Sequence, residues 1–347
     1  TVSGNNINVL MTGAGAPGAA GILHCLKKDT RISIVAADAR EDAYGRYLTD
    51  TFELLPSASQ TEFAEQVLQI CQKHSIQILL PLVTRELIPL ALHREAFEKA
   101  GIRIPVSPVN ALEIANNKGK LYQFLQWRGM DLPDFRIVEN PVQFRTAIEE
   151  SGYPAKPVCF KPVESNGSRG FRIINKSVNE LDLLLTQKPS SVLITLEEAI
   201  RILSTGSFPE LLVSEYLPGD EYSVDCLASN GEPVLVVPRL RKKMINGISV
   251  EGEFVKEDKI ISYCSQIIRE LQLHGNIGIQ VKANQEGDFL VLEINPRVQG
   301  TISAGLGAGI NLPLLAIKQE LGLPVEAAEL TVKWGTKFSR YWQEVFY

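Results

Sequence analysis

The segment Phe289-Leu290-Val291-Leu292-Glu293-Ile294-Asn295-Pro296-Arg297 restricts the fold of this chain more than any other. Phe289–Ile294 holds five apolar residues, which reads as a strand with a buried face. A carboxylate, an amide and a guanidinium then occupy alternate positions at its end. Side chains two apart on a strand share a face. Leu290, Leu292 and Ile294 are therefore expected to face a core, with Glu293 and Asn295 projecting together from the other side. A buried carboxylate needs a cation, a donor or water. Two hard oxygen donors in such a row suit Mg2+ or Mn2+, and Arg297 just beyond them suits a phosphate or a carboxylate. A strand with one solvated edge would carry the same residues, so the other segments have to discriminate.

The N-terminal third opens with an apolar run, Ile7–Thr12, then Gly13-Ala14-Gly15-Ala16-Pro17-Gly18, a helix to about Leu26 and a strand Ile32–Ala37 ending at Asp38. Strand, glycine turn, helix and strand in that order open a doubly wound α/β sheet. Gly13, Gly15 and Gly18 have dinucleotide-fingerprint spacing, and Asp38 stands where a ribose-binding acid would. Pro17 has no N–H to offer a pyrophosphate. The preferred reading is therefore a Rossmann-like domain whose glycines serve tight packing. A helix over Gln60–His74, a strand Ile76–Leu82, a helix Glu86–Lys99 and a strand Ile102–Val106 complete it. Ser107 as a helix N-cap with Pro108 at the first helical position marks the first boundary.

Beyond that boundary the helix pauses at Asn116-Asn117 and resumes over Lys118–Arg128. A lysine at a helix start opposes the dipole unless both face a shared anion, so Lys118 is either a solvated cation or a phosphate ligand. Strand Phe135–Val138, helix Val142–Ser151, strand Val158–Val163, a glycine loop, strand Gly170–Ile174 and helix Val178–Leu185 form a small lid-like unit. Its loop, Lys161-Pro162-Val163-Glu164-Ser165-Asn166-Gly167-Ser168-Arg169-Gly170, lets main-chain amides approach a phosphate, with Lys161 adding a point charge. It is not a P-loop, since no Gly-Lys-Ser/Thr follows. Strand Leu211–Leu217 ends at Pro218-Gly219, and Ser223 and Asp225 then alternate with Tyr222, Val224 and Cys226. Arg239 and Arg241 share a strand face and form an anion-binding pair by type. A helix Lys256–Leu271 leads to the hairpin of Ile277–Ala283 with Phe289–Ile294. Gln280 joins Glu293 only if the register puts both on one face. The aromatic-rich tail Phe338–Tyr347 is expected to pack on an edge or a partner.

A net charge of −5, with no basic run longer than Arg241-Lys242-Lys243, gives no reason to expect nucleic acid. No apolar run approaches the ~20 residues that span a bilayer, and the N-terminus shows no signal-peptide pattern. A cytoplasmic location without membrane contact is expected. Five widely spaced cysteines set among apolar residues fit reduced, buried thiols. The four histidines, expected at surfaces or helix ends, show no ligand spacing.

Taken together, these motifs resemble the ATP-grasp superfamily from about Asn110 to Glu320, and most of all the carbamoyl-phosphate-synthase-large-subunit-like carboxylate–amine ligases. The resemblance implies an N-terminal Rossmann-like pre-ATP-grasp domain (residues 1–108), a two-lobed α+β ATP-grasp domain (109–325, with a lid over about 134–208) and a C-terminal tail (326–347). It implies that Lys118 and Lys161 contact ATP phosphates and that Ser165–Gly170, with Ser165, Gly167, Ser168 and Gly170, closes over them. Glu215, Tyr216 and Leu217 would form the adenine hinge and Glu221 would hold the ribose. Glu293 and Asn295, with Gln280 as a third, match the metal ligands for Mg2+ or Mn2+. Arg297, Arg239 and Arg241 would face the transferred phosphoryl group and the acid substrate. The implied activity is ADP-forming ligation of a small carboxylic acid to an amine through an acyl phosphate. Carboxyphosphate or carbamoyl-phosphate formation and a non-catalytic nucleotide-binding module are the alternatives. Ligases of this type are often dimers, so the resemblance allows a homodimer. Asn117-Lys118 stands where Asp-Lys is common, and Gln187–Phe208 looks like an extra stretch. No motif fixes the substrate pocket, for which Thr84 and Glu86 are the candidates.

Overall fold

A computed structural model describes residues 6–165, 168–187 and 191–347. It is a mixed α/β protein with a parallel sheet near the N-terminus and antiparallel sheets beyond. The chain folds into two compact units that do not follow sequence order: residues 1–116, 221–281 and 293–347 form one, and 117–220 with 282–292 form the other.

In the first unit the parallel sheet runs Thr51–Leu54, Ile32–Asp38, Ile7–Met11, Ile78–Leu80. Reversing direction of growth at the first strand is the doubly wound pattern expected from the glycine turn. The glycines act as spacers for packing. A Cβ on Gly18 would lie 2.4 Å from the Gly300 Cα, and one on Gly21 would meet the Ser303 hydroxyl at 2.3 Å. Asp38 accepts the Gly15 and Arg40 amides at 2.8 and 2.9 Å, so both of its oxygens serve the turn.

The helix expected over Glu86–Lys99 is two helices, Thr84–Leu92 and Arg94–Lys99, because the His93 ring turns back onto the Pro89 carbonyl at 2.8 Å. Ile102–Val106 does not form a strand; only Arg103 bridges to Ile78. The Arg94 guanidinium instead takes the Ile104, Val106 and Ser107 carbonyls. His274, expected at a surface, is buried: its ring meets Glu320 at 2.7 Å and the Asn230 amide at 3.0 Å. All five cysteines are free and buried.

The larger antiparallel sheet runs Phe289–Asn295, Gly275–Ala283, Glu221–Ser229, Glu232–Ile245, Ile248–Phe254, Lys337–Ser339. One core joins it to the parallel sheet: Ile7, Val9 and Met11 pack with Leu227, Val237, Phe254, Ile302 and Leu315. Of the tail, Lys337–Ser339 pairs at an edge with Glu251–Glu253, whereas Tyr341, Trp342, Phe346 and Tyr347 are exposed. Phe338 fits there because Gly252 has no Cβ; one would lie 2.7 Å from the Phe338 ring.

In the second unit five strands run Phe135–Val138, Leu211–Glu215, Val158–Pro162, Arg172–Ile174, Leu193–Ile194. The described part of the Gln187–Phe208 stretch belongs to this fold, since it adds an edge strand and a helix, Leu196–Leu203, that packs on the core around Phe144.

The Gly18 contact gives a direct test. Gly18→Ala drives a methyl into main chain that cannot rotate away, so it should lower stability by roughly 1–3 kcal/mol. Thermal denaturation of the variant reads this out as a lowered midpoint with unchanged cooperativity.

Candidate active site

The second unit gathers the expected nucleotide ligands. Asn117 caps the helix Lys118–Trp127 by accepting the Lys120 amide, and its side-chain N–H donates to Glu164 at 3.2 Å. That places Lys118 in the first turn, buried, with Nζ donating to the Ser165 carbonyl at 2.9 Å and lying 3.4 Å from the Ser165 hydroxyl. Lys161, at the end of Val158–Pro162, donates to the Leu292 carbonyl at 3.0 Å and lies 5.9 Å from the centre of the Tyr122 ring. The Tyr122 hydroxyl donates to the Val291 carbonyl at 2.6 Å. Ser168 and Gly170 both have positive φ, and a Cβ on Gly170 would strike Pro162 at 2.6 Å, so the loop turns back tightly on its strand. Gly167 lies outside the described residues. Glu215 accepts the Asp134 amide at 3.1 Å, Tyr216 lies beneath the Lys282 ammonium at 5.2 Å, and Leu217 is buried. The Gly219 amide donates to the Ala283 carbonyl, which ties this hinge segment to the hairpin.

In the first unit the expected acidic and basic residues share one sheet face but fall into two hydrogen-bonded groups. Ser223 pairs with Arg239 across Glu221–Ser229 and Glu232–Ile245, so Glu221, Ser223, Asp225, Arg239 and Arg241 share a face. Arg241 donates Nη1 to Glu221 at 2.7 Å, Nε to Ser249 at 3.0 Å and Nη2 to the Gly247 carbonyl, which uses all three nitrogens. Arg239 is different. Only 1% exposed, it donates Nε and Nη2 to Asp225 at 3.0 and 3.4 Å, and its Nη1 has no partner. Asp225 also accepts from Gln299 at 2.8 Å. The two arginines that look alike in sequence thus differ: Arg241 is saturated by protein, and Arg239 keeps a buried donor open.

Arg297 donates Nε to the Thr84 hydroxyl at 2.9 Å and Nη1 to the Val298 carbonyl. Burial holds the Arg297 and Arg241 guanidiniums below their ordinary pKa, and the nearby Glu293 carboxylate opposes this at both. Glu293 therefore lies within electrostatic reach of two buried cations. Glu293, Asn295 and Gln280 are all part-exposed, and neither amide side chain makes a hydrogen bond among the described residues. Leu292, expected in the core, is half-buried, whereas Leu290 and Val291 are fully covered because both faces of the strand are packed there. Thr84 is brought to Arg297, but Glu86 accepts from Thr12 at 2.5 Å. Asp225, Gln299 and Thr12 were not singled out as site residues by sequence. Asp225 carried a signal, the alternation of polar residues opposite two arginines.

Comparison with known proteins matches two separate stretches of the chain. Residues 207–340 match the family described as ATP-grasp in the biosynthetic pathway with Ter operon. The chain carries an ATP-grasp domain. Residues 9–105 match the PylC-like N-terminal domain. Among curated relatives, the arginine-specific large chain of carbamoyl phosphate synthase from Bacillus subtilis is 25% identical over 218 residues, 60% of this chain and 19% of that one. The carbamoyl phosphate synthase large chain of Thermus thermophilus is 24% identical over 258 residues, 71% of this chain and 23% of that one. The chain thus spans about a fifth of the length of these relatives. Among solved structures, the Staphylococcus aureus N5-carboxyaminoimidazole synthetase complexed with ADP superposes with a TM-score of 0.66 at 17% identity, covering 93% of this chain and 79% of that one. Biotin carboxylase from Campylobacter jejuni gives 0.67 at 16%, covering 94% and 73%. At that identity these two likenesses show the fold alone.

Glu86 offers a pH test. Only 6% exposed, its carboxyl is pushed up to about 7 from 4.5, first by burial and further by Asp38, against the Thr12 hydrogen bond. A raised folded pKa means that the folded state holds the proton more tightly, so stability falls as pH rises from about 4.5 through about 7. The full loss is about 3 kcal/mol. Glu86→Gln removes this titration, so urea denaturation should show the variant gaining on the parent between pH 5 and pH 8.

Proposed function

We propose that this chain is an ATP-dependent, ADP-forming ligase that joins a small carboxylic acid to an amine through an acyl phosphate. One observation carries the reading: Arg297, directed by the Thr84 hydroxyl, stands just past the end of the strand that carries Glu293 and the Asn295 amide. A part-buried cation beside a carboxylate and an amide oxygen suits a phosphoryl group in transfer. Glu293, Asn295 and Gln280 fit Mg2+, which takes one or two carboxylates and fills its other positions with phosphate oxygens and water. When bound, the ion would neutralise phosphate charge and polarise the γ-phosphoryl group.

The chain's own groups have separable tasks. Lys118 and Lys161 neutralise the phosphates, and the Ser165–Gly170 loop offers amides and shields the acyl phosphate from water. Glu215–Leu217 seats the adenine and Glu221 the ribose, the latter sharing its carboxylate with Arg241. Arg297, oriented by Thr84, holds the acid so that one carboxylate oxygen attacks the γ-phosphorus and ADP leaves. Amine attack on the acyl carbon then expels phosphate and forms the amide. A second reading, with bicarbonate as the acid and carboxyphosphate as the product of the first step, is favoured by the naming of the curated relatives. ATP turnover stimulated by bicarbonate alone would select it.

ADP release measured against a panel of carboxylates and amines, with products identified by mass spectrometry, tests the proposal; no stimulation by any acid would sink it. Glu293→Ala should lower turnover by about a hundredfold or more. Lys161→Ala should weaken nucleotide binding or phosphoryl transfer, as titration with an ATP analogue and single-turnover kinetics would separately report.

A further inference from the structure

We propose that Arg340, from the C-terminal edge strand, and the open Nη1 of Arg239 form a second anion subsite, which holds an additional acidic group on the carboxylate substrate. The naming of that ligand rests on the ligase reading above; the subsite itself rests on geometry. Arg239 is fully buried, and a guanidinium is expected to fill its donors when removed from water. Two of its nitrogens are on Asp225 and the third has nothing. Asp225 cannot turn to serve it, because Gln299 and the rest of the Arg239 fork hold its oxygens.

A second cation stands two residues beyond Phe338, whose ring centre is 5.8 Å from the Arg239 guanidinium. Arg340 follows Lys337–Ser339, its amide donates to the Val250 carbonyl at 2.7 Å, and its Nη1 donates to the buried Thr301 hydroxyl at 3.1 Å. Burial, and then the charge of Arg239, lowers its pKa, while Tyr44 opposes this. The Tyr44 hydroxyl is itself engaged, donating to the Ala16 carbonyl and accepting from the Ala20 amide. Among the described residues no carboxylate forms an ion pair with Arg340. The protein thus sets two guanidiniums around the Phe338 segment, pairs a carboxylate with Arg239 and leaves a donor unfilled. Phe338, whose ring centre is 5.8 Å from the Arg239 guanidinium and which rests on Gly252, fixes the tail strand beside them. Like charges kept together in a low-dielectric setting are stabilised by an anion that bonds both.

Arg297 is tethered through the Thr84 hydroxyl and Arg340 through the Thr301 hydroxyl. The cations therefore divide into a phosphoryl end around Arg297 and Glu293 and a second end around Arg239 and Arg340. A substrate that satisfies both carries two anionic groups: a dicarboxylic acid, or an acid bearing a phosphate.

Inorganic phosphate and succinate are the probes, each titrated calorimetrically into the full chain saturated with Mg2+ and a non-hydrolysable ATP analogue, which fills the γ-phosphate position. At least one probe should bind the parent, and Arg340→Ala should weaken it about tenfold or more. Arg340→Lys should retain most of the affinity, and the nucleotide should bind all three proteins equally. Thr301→Val, which frees Arg340 from its tether, should weaken the probe several-fold and serves if Arg340→Ala melts early. The proposal is overturned if neither probe binds the parent, or if Arg340→Ala binds as tightly as the parent. Failure of the ligase reading looks different: the nucleotide analogue does not bind, while the same titrations without it still show loss of anion affinity on Arg340→Ala.

Discussion

The first unit is organised around a buried ion pair, Arg239 with Asp225, on neighbouring strands of the antiparallel sheet. Removing two charges from water is costly, and such a pair is held only when further hydrogen bonds complete it. Gln299 provides one of these, and it reaches Asp225 because Gly278 leaves room: a Cβ there would lie 2.0 Å from the Gln299 side chain. The segment carrying Gln299 continues through Gly300, which lies against Gly18 in the glycine turn of the parallel sheet. One polar contact thus fixes the loop after Arg297, and that loop fixes the turn near the start of the chain. The apolar core around Met11, Val237 and Ile302 closes the same arrangement from the other side.

Electrostatics then separates the arginines by what surrounds them rather than by their number. Arg241 has lost its freedom to Glu221, Ser249 and Gly247. Arg297 is directed by one hydroxyl, Thr84, and remains exposed to the field of Glu293. Arg239 is neutralised by Asp225 yet keeps a donor. These are three chemical situations for one residue type, so the cations are not interchangeable.

Much of this was legible in the sequence, for identifiable reasons. Period-two alternation placed Glu293 and Asn295 together and put Arg239 and Arg241 on one face, because a strand leaves no other choice. The glycines of the first turn were read as packing residues since Pro17 lacks an N–H, and Gly18 does lie against Gly300. What stayed hidden depends on contacts distant in sequence. Ile102–Val106 has strand composition, but Arg94 captures its carbonyls. His274 is buried only because Glu320 and the Asn230 amide meet it. Arg340 stands in a tail whose strand is three residues long, too short for any pattern to show which face it takes.

The alternation of the chain between its two units has a consequence for synthesis. The polypeptide passes from one unit to the other after residues 116, 220, 281 and 292. The core that covers Ile7, Val9 and Leu23 includes Val298, Ile310 and Leu315. During translation, therefore, the first strands emerge long before the residues that bury them, whereas the five-stranded sheet of the other unit is complete by residue 215. Vectorial folding would then seal the five-stranded unit first, and the strand Ile7–Met11 would be among the last parts to be closed from water.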